Sequence, residues 1–123
     1  MILVVDDDKA LTKLATRMLE GDGYDVDVAH NGEQAYEKIC AGGIDCVLLD
    51  MHMPRVNGAE LLMLLAADGD TTPVLVMAAF QDYEENELSN FPNVKALFSK
   101  PFYPEALLEK VHEFVGETKK SDD

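Results

Sequence analysis

The 123-residue sequence predicts an α/β domain: an open parallel sheet with helices on both faces. Three observations predict it. Residues 2–5, 46–49 and 74–77 are short runs apolar on both sides, which suits strands covered on both faces. Segments of helical periodicity stand between them, so strand and helix alternate along the chain. Carboxylates and a lysine follow the strands, on the edge where open α/β sheets bind ligands.

Each element has its own signal. Ile2-Leu3-Val4-Val5 is an unbroken, mostly β-branched run. Leu11, Leu14, Ala15, Met18 and Leu19 then recur at helical spacing, and Gly21 and Gly23 follow as stop signals. The second strand, 25–29, alternates Val26 and Val28 with Asp25 and Asp27, a pattern for a sheet edge. Residues 32–41 carry Ala35, Tyr36, Ile39 and Cys40 on one helical face and end at Gly42-Gly43. After the third strand, residues 57–67 form a helix carrying Leu61, Leu62, Leu64 and Leu65. Residues 81–90 read as a short helix, with four acids and only Tyr83 and Leu88 as apolar anchors. The fifth strand, 94–98, is interrupted by Lys95. The last helix, Pro104–Val115, opens on a proline and carries Leu107, Leu108, Val111, Phe114 and Val115. Five strands thus alternate with five helices, and each crossover should be right-handed. Residues 1–116 read as one domain and 117–123 as a flexible polar tail.

Composition narrows the function. The 24 acidic residues against 10 Lys and Arg give a net charge of −14. Direct nucleic-acid binding, which needs a basic footprint, is not expected. Nor is attraction to an anionic membrane surface. No run of ~18 apolar residues suggests a membrane span, and the opening residues show no basic-then-apolar leader. With 47% hydrophobic residues the chain can fill a core. Cys40 and Cys46 lack metal-ligand spacing and sit in apolar patterns, so both read as small buried hydrophobes in a reducing compartment. A cytoplasmic location is the expectation.

Asp6, Asp7 and Asp8 follow the first strand, Asp50 ends the third, Ala78-Ala79 follow the fourth, and Lys100-Pro101 follow the fifth. Carboxylates brought together repel unless a cation compensates. A hard divalent ion does so, and Mg²⁺ typically takes one or two carboxylates plus waters and phosphate oxygens. A carboxylate beside Mg²⁺ and a lysine is also a nucleophile toward phosphorus, giving an aspartyl phosphate. Singly, each residue has a plainer role: Asp8 as a helix cap, Asp50 as a turn residue, Lys100 as a surface lysine. The three histidines, His30, His52 and His112, have no zinc-ligand spacing.

Four segments in order carry a family resemblance: Ile2-Leu3-Val4-Val5-Asp6-Asp7-Asp8; Asp45-Cys46-Val47-Leu48-Leu49-Asp50-Met51-His52-Met53-Pro54 with Gly58; Pro73-Val74-Leu75-Val76-Met77; and Ser99-Lys100-Pro101-Phe102. The chain resembles the receiver domain of two-component response regulators, from Ile2 to about Val115. The resemblance implies a flavodoxin-like (βα)5 fold with strand order 2-1-3-4-5. It implies Asp50 as phosphoacceptor and Asp6 and Asp7 as the acidic pair at a Mg²⁺ (or Mn²⁺) site, with Asp7 the direct ligand. The backbone carbonyl of His52 would be a third ligand, Lys100 would pair with Asp50 and then with the phosphoryl group, and Lys100-Pro101 would be a cis peptide. The implied reaction is transfer from a phosphohistidine, on a sensor histidine kinase or a histidine phosphotransfer protein, followed by partly self-catalysed hydrolysis. The implied output is a downstream protein or effector domain, met at the face of the 81–90 helix, the fifth strand and the last helix. Asp82, Glu84, Glu85 and Glu87 beside that face suggest a partner with basic residues. The imidazole of His52, at the site rim, would either tune dephosphorylation or have no role beyond its carbonyl.

Two positions depart from the family. The hydroxyl residue that usually ends the fourth strand is Ala78 here, and the aromatic usual three residues before the lysine is Leu97. Phe98 is one place later, so strand alternation puts it on the other face. Both halves of the usual hydroxyl–aromatic switch are missing. Either the change is transmitted differently, or Ala78 only alters kinetics. A second reading is a pseudo-receiver, a protein-binding module without regulated phosphorylation. A third, a small Mg²⁺-dependent phosphatase, fits less well, because the second acid two residues after the nucleophile is replaced by His52.

Overall fold

The computed structural model describes residues 1–50, 58–79, 91–100 and 104–115, with the backbone alone at 78, 79, 99, 100 and 104. The elements run β1 (Ile2–Val5), α1 (Lys9–Gly21), β2 (Val26–Ala29), α2 (Gly32–Cys40), β3 (Cys46–Asp50), α3 (Gly58–Ala67), β4 (Val74–Ala79), β5 (Val94–Lys100) and α4 (Pro104–Val115). All five strands are parallel, in the order β2-β1-β3-β4-β5. The order reverses between β1 and β3. Crossovers leave that point in opposite directions, which opens a crevice at the carboxyl ends of the two strands. The helix expected at 81–90 lies outside the described residues, as does the tail at 117–123.

Strand alternation divides the core in two. On one face Leu3, Val5, Val47, Leu49, Val74 and Val76 pack against Ala35 and Ile39 of α2 and Leu61, Leu62 and Leu65 of α3. On the other, Ile2, Val4, Cys46, Leu48, Leu75 and Met77 pack against Ala15 and Leu19 of α1 and Leu107 and Val111 of α4. β1 and β3 are buried at every position, as central strands covered on both sides must be. β2, with its alternating acids, is an edge strand.

Local chemistry sets the helix starts. Asp8 caps α1, its Oδ1 accepting from the N–H of Ala10 at 3.0 Å and Leu11 at 3.2 Å. Asn31 Oδ1 accepts from Gln34 N–H at 2.8 Å, while Gln34 Oε1 accepts from His30 N–H at 3.0 Å, a reciprocal arrangement close to a capping box. Gly23, at φ 97°, makes the left-handed turn between α1 and β2.

Four expectations change. Leu14 is 56% exposed, because Thr12 takes the core position on α1; its hydroxyl donates to Lys9 O at 3.0 Å and so enters the core satisfied. Leu64 is exposed on α3, on the flank away from Leu61, Leu62 and Leu65. Cys40 is exposed; only Cys46 is the buried hydrophobe expected of both. Finally, β5 runs past Phe98, where it was expected to end. Val94 pairs with Val74 and Ala96 with Leu75, so Lys95 is the extra residue at a register shift and the ladder continues to Lys100.

Candidate functional site

The register builds the site from the strand ends. Val5 pairs with Leu49, so the next residues, Asp6 and Asp50, stand side by side at the β1/β3 switch point. Asp50 pairs in turn with Met77 of β4. Asp6 is 1% exposed and Asp50 4% exposed, whereas Asp7 faces solvent. One carboxylate oxygen from each of Asp6, Asp7 and Asp50 lies within 4.8 Å of the other two. Asp8 is turned away into its capping role, so the triplet after β1 splits into two site residues and one cap.

Backbone contacts fix Asp6. Its N–H donates to Ala29 O at 3.1 Å, and its Oδ1 accepts from Asp8 N–H at 2.9 Å. His30 Nδ1 donates to the Asp6 carbonyl at 3.2 Å. Sequence reasoning missed this contact of His30. The signal was present, since His30 follows Ala29 and stands at the carboxyl end of β2, on the same edge as the acids.

The electrostatics favour a cation. Two unit charges ~5 Å apart repel by about 3–4 kcal/mol at an effective dielectric of 20. Here three carboxylates share such distances, with two of them out of water. An all-oxygen, hard donor set of this kind suits Mg²⁺ and is a poor match for thiolate- or imidazole-seeking metals. The donor set therefore fits the divalent ion expected.

The other predicted residues are placed by backbone alone or not at all. Lys100 ends β5 opposite Ala79, and Ala78 pairs with Ser99. Lys100 and Ala78 thus belong to the same carboxyl-terminal edge as Asp50. Leu97 packs with the α2/α3 core and Phe98 with the α1/α4 core, on opposite sheet faces as alternation requires. His52 and Pro101 lie outside the described residues, and so do the backbone carbonyl and cis peptide expected of them.

A family model described as the response regulator receiver domain matches residues 2–112. The chain belongs to that family. The receiver is 37% identical over 122 residues to the response regulator MprA of Mycobacterium ulcerans, covering 99% of this chain and 53% of that protein. The Mycobacterium avium MprA is 36% identical over the same length, with 99% and 54% covered. The receiver thus spans about half the length of these curated relatives. Solved structures agree. The receiver domain of Francisella response regulator 1452 superposes with a TM-score of 0.83 at 30% identity, covering 92% of this chain and 93% of that one. Thermotoga maritima TrrA, solved in complex with Mg(2+)-BeF, superposes at 0.81 with 32% identity, covering 92% and 96%. The fold is the flavodoxin-like arrangement of receiver domains, which carry an acidic Mg²⁺ pocket and serve two-component signalling. Among the described residues no helix is long and apolar enough to cross a membrane.

Proposed function

We propose that Asp50 accepts a phosphoryl group, in a Mg²⁺-dependent reaction, from a phosphohistidine on a sensor histidine kinase or histidine phosphotransfer protein. The chain then acts as the phosphorylatable module of a phosphorelay. The observation that carries this reading is the cluster of Asp6, Asp7 and Asp50 at the switch point, two of its three carboxylates buried.

The roles divide by environment. Asp50, fixed at the end of a fully buried central strand, attacks phosphorus with a carboxylate oxygen. The N–P bond of the donor breaks, imidazole leaves, and an acyl phosphate forms on Asp50. Asp6, Asp7 and Asp50 would hold the divalent ion, Asp7 as direct ligand on the solvent side, with the carbonyl of His52 expected to join them. When bound, Mg²⁺ (Mn²⁺ is the other candidate) supplies positive charge against the transferring oxygens. Lys100 supplies a second positive charge from the same sheet edge. Water later attacks phosphorus and returns the carboxylate and orthophosphate. No activity beyond this self-catalysed gain and loss of phosphate is proposed.

Ala78 sets the atypical feature. Without a hydroxyl there, the phosphorylated state lacks one charge-assisted hydrogen bond, about 1.5–3 kcal/mol of stabilisation. Leu97, packed on the α2/α3 face, leaves no aromatic at the partner position. These two residues favour the second reading, a pseudo-receiver that binds a partner without regulated phosphorylation.

Intact-mass measurement separates the readings. With Mg²⁺ and a small phosphodonor, the chain should gain the mass of one phosphoryl group, about 80 Da, and Asp50→Asn should gain none. No adduct on the wild-type chain would favour the pseudo-receiver.

A further inference from the structure

A groove of about 540 Å³ runs between α1 and the edge strand β2, beside the aspartate cluster but lined by none of its three acids. Lys9, Lys13 and Arg17 line it, with Val28 and His30 of the β2 side and a single acid, Glu20. The three cations are spaced i, i+4, i+8, which sets them about 6 Å apart along one helix face. We propose that this groove is a binding site for a linear oligophosphate, the chain of two or three phosphates carried by nucleoside di- and triphosphates.

The charge pattern of α1 argues that the row is there for a ligand. Like charges at i, i+4 oppose helix formation. Cations near a helix amino terminus and acids near its carboxyl terminus also oppose the macrodipole. α1 does both: Lys9 opens it, Glu20 nearly ends it, and it has no acid in its first turn and no base in its last. In a chain with 24 acids, Lys9, Lys13 and Arg17 make no ion pair among the described residues. Lys38 and Lys110, by contrast, pair with Asp27 and Glu113. A row of cations with no ion pair among the described residues, and one that costs its own helix stability, presents a field suited to a row of anions. Lysine supplies point charges to phosphate oxygens, and arginine a two-pronged donor.

The other occupant to weigh is an acidic peptide added as a strand to β2. The strand resists it. β2 has only four residues, its outward N–H at Val28 is taken by the Asp27 carboxylate at 2.8 Å, and Asp25 and Asp27 would repel acids. A small anion held from the helix side meets none of these obstacles.

The test is calorimetric titration of the wild-type chain with inorganic tripolyphosphate in metal-free buffer, with amide spectra recorded alongside. Saturable binding is expected, with shifts confined to residues 9–20 and 28–30 and with orthophosphate more than about tenfold weaker, since it meets one cation rather than several. Lys13→Gln with Arg17→Gln should weaken binding more than about tenfold, while the phosphoryl adduct formed with a small phosphodonor is retained and the thermal midpoint is not lowered. A nucleoside triphosphate arm tells whether the nucleoside also seats: tighter binding than tripolyphosphate assigns it contacts, and equal binding assigns the site to the phosphates alone, both in support. Absence of saturable binding, unchanged binding by the double variant, shifts centred on Asp6, Asp7 and Asp50, or tighter binding of an oligoglutamate peptide would each overturn the proposal.

Discussion

Asp6, Asp7 and Asp50 show how a position in a fold turns ordinary residues into a site. Each could be a cap or turn residue alone. The register of β1 and β3 converts two of them into buried neighbours. They were legible in sequence because each follows an apolar run, and strand ends in an α/β sheet share an edge. His30 was less legible, because its link to the site runs through a backbone carbonyl that no side-chain motif advertises. Cys40 was misread because an apolar residue on the flank of a helical stripe carries the same periodicity as one at its centre. Two predictions belong here. Ala78→Ser restores a donor at the end of β4, and it should raise the affinity for a beryllofluoride phosphoryl mimic with Mg²⁺ by roughly tenfold or more, the equivalent of one charge-assisted hydrogen bond; unchanged affinity in a titration would mean that water already fills that role. In the native chain one thiol, Cys40, should react with an aromatic disulfide reagent at pH 8. Cys46, whose thiol burial pushes up to about 12, should react only on unfolding.

At the scale of elements, the strands were read closely because unbroken β-branched runs have few alternative uses, and strands 1 and 3 lie where the patterns put them. β5 was read two residues short, because Ser99 and Lys100 are polar, and the register shift at Lys95 cannot be seen without the partner strand. Helix faces were legible to within one flank, where Leu14 and Leu64 are exposed. One ion pair between elements gives a pH prediction. Lys38 of α2 lies 2.8 Å from Asp27 of β2, and its hydrogen bond holds the Asp27 carboxyl below its ordinary value of 3.8. A carboxyl depressed in the folded state stabilises above its unfolded value, and the stabilisation is lost as pH falls through the folded value. Both side chains are more than a third exposed, so the pair is worth less than about 1 kcal/mol. Asp27→Asn should therefore leave the urea midpoint at pH 7 nearly unchanged and flatten its decline below pH 4. A steeper decline would contradict this assignment.

At the scale of the molecule, the net charge of −14 first served to set nucleic acid aside. Among the described residues, three of the acids meet in one crevice and the others are partly or fully exposed, with a basic row along α1 set against them. Divalent-ion binding at the crevice should stabilise the whole fold, by about 1.4 kcal/mol at ten times the dissociation constant. Thermal unfolding with and without Mg²⁺ reads this directly, and the gain should shrink severalfold in Asp6→Asn. The central claim is that the carboxylate of Asp50, among the acids of that crevice, carries the phosphoryl group. Borohydride reduces an acyl phosphate of aspartate to homoserine, so reduction after treatment with Mg²⁺ and a phosphodonor, followed by peptide sequencing, locates the modified residue. The account predicts homoserine at position 50 alone, dependent on Mg²⁺; homoserine at position 6 or 7 instead, or at no position, would contradict it.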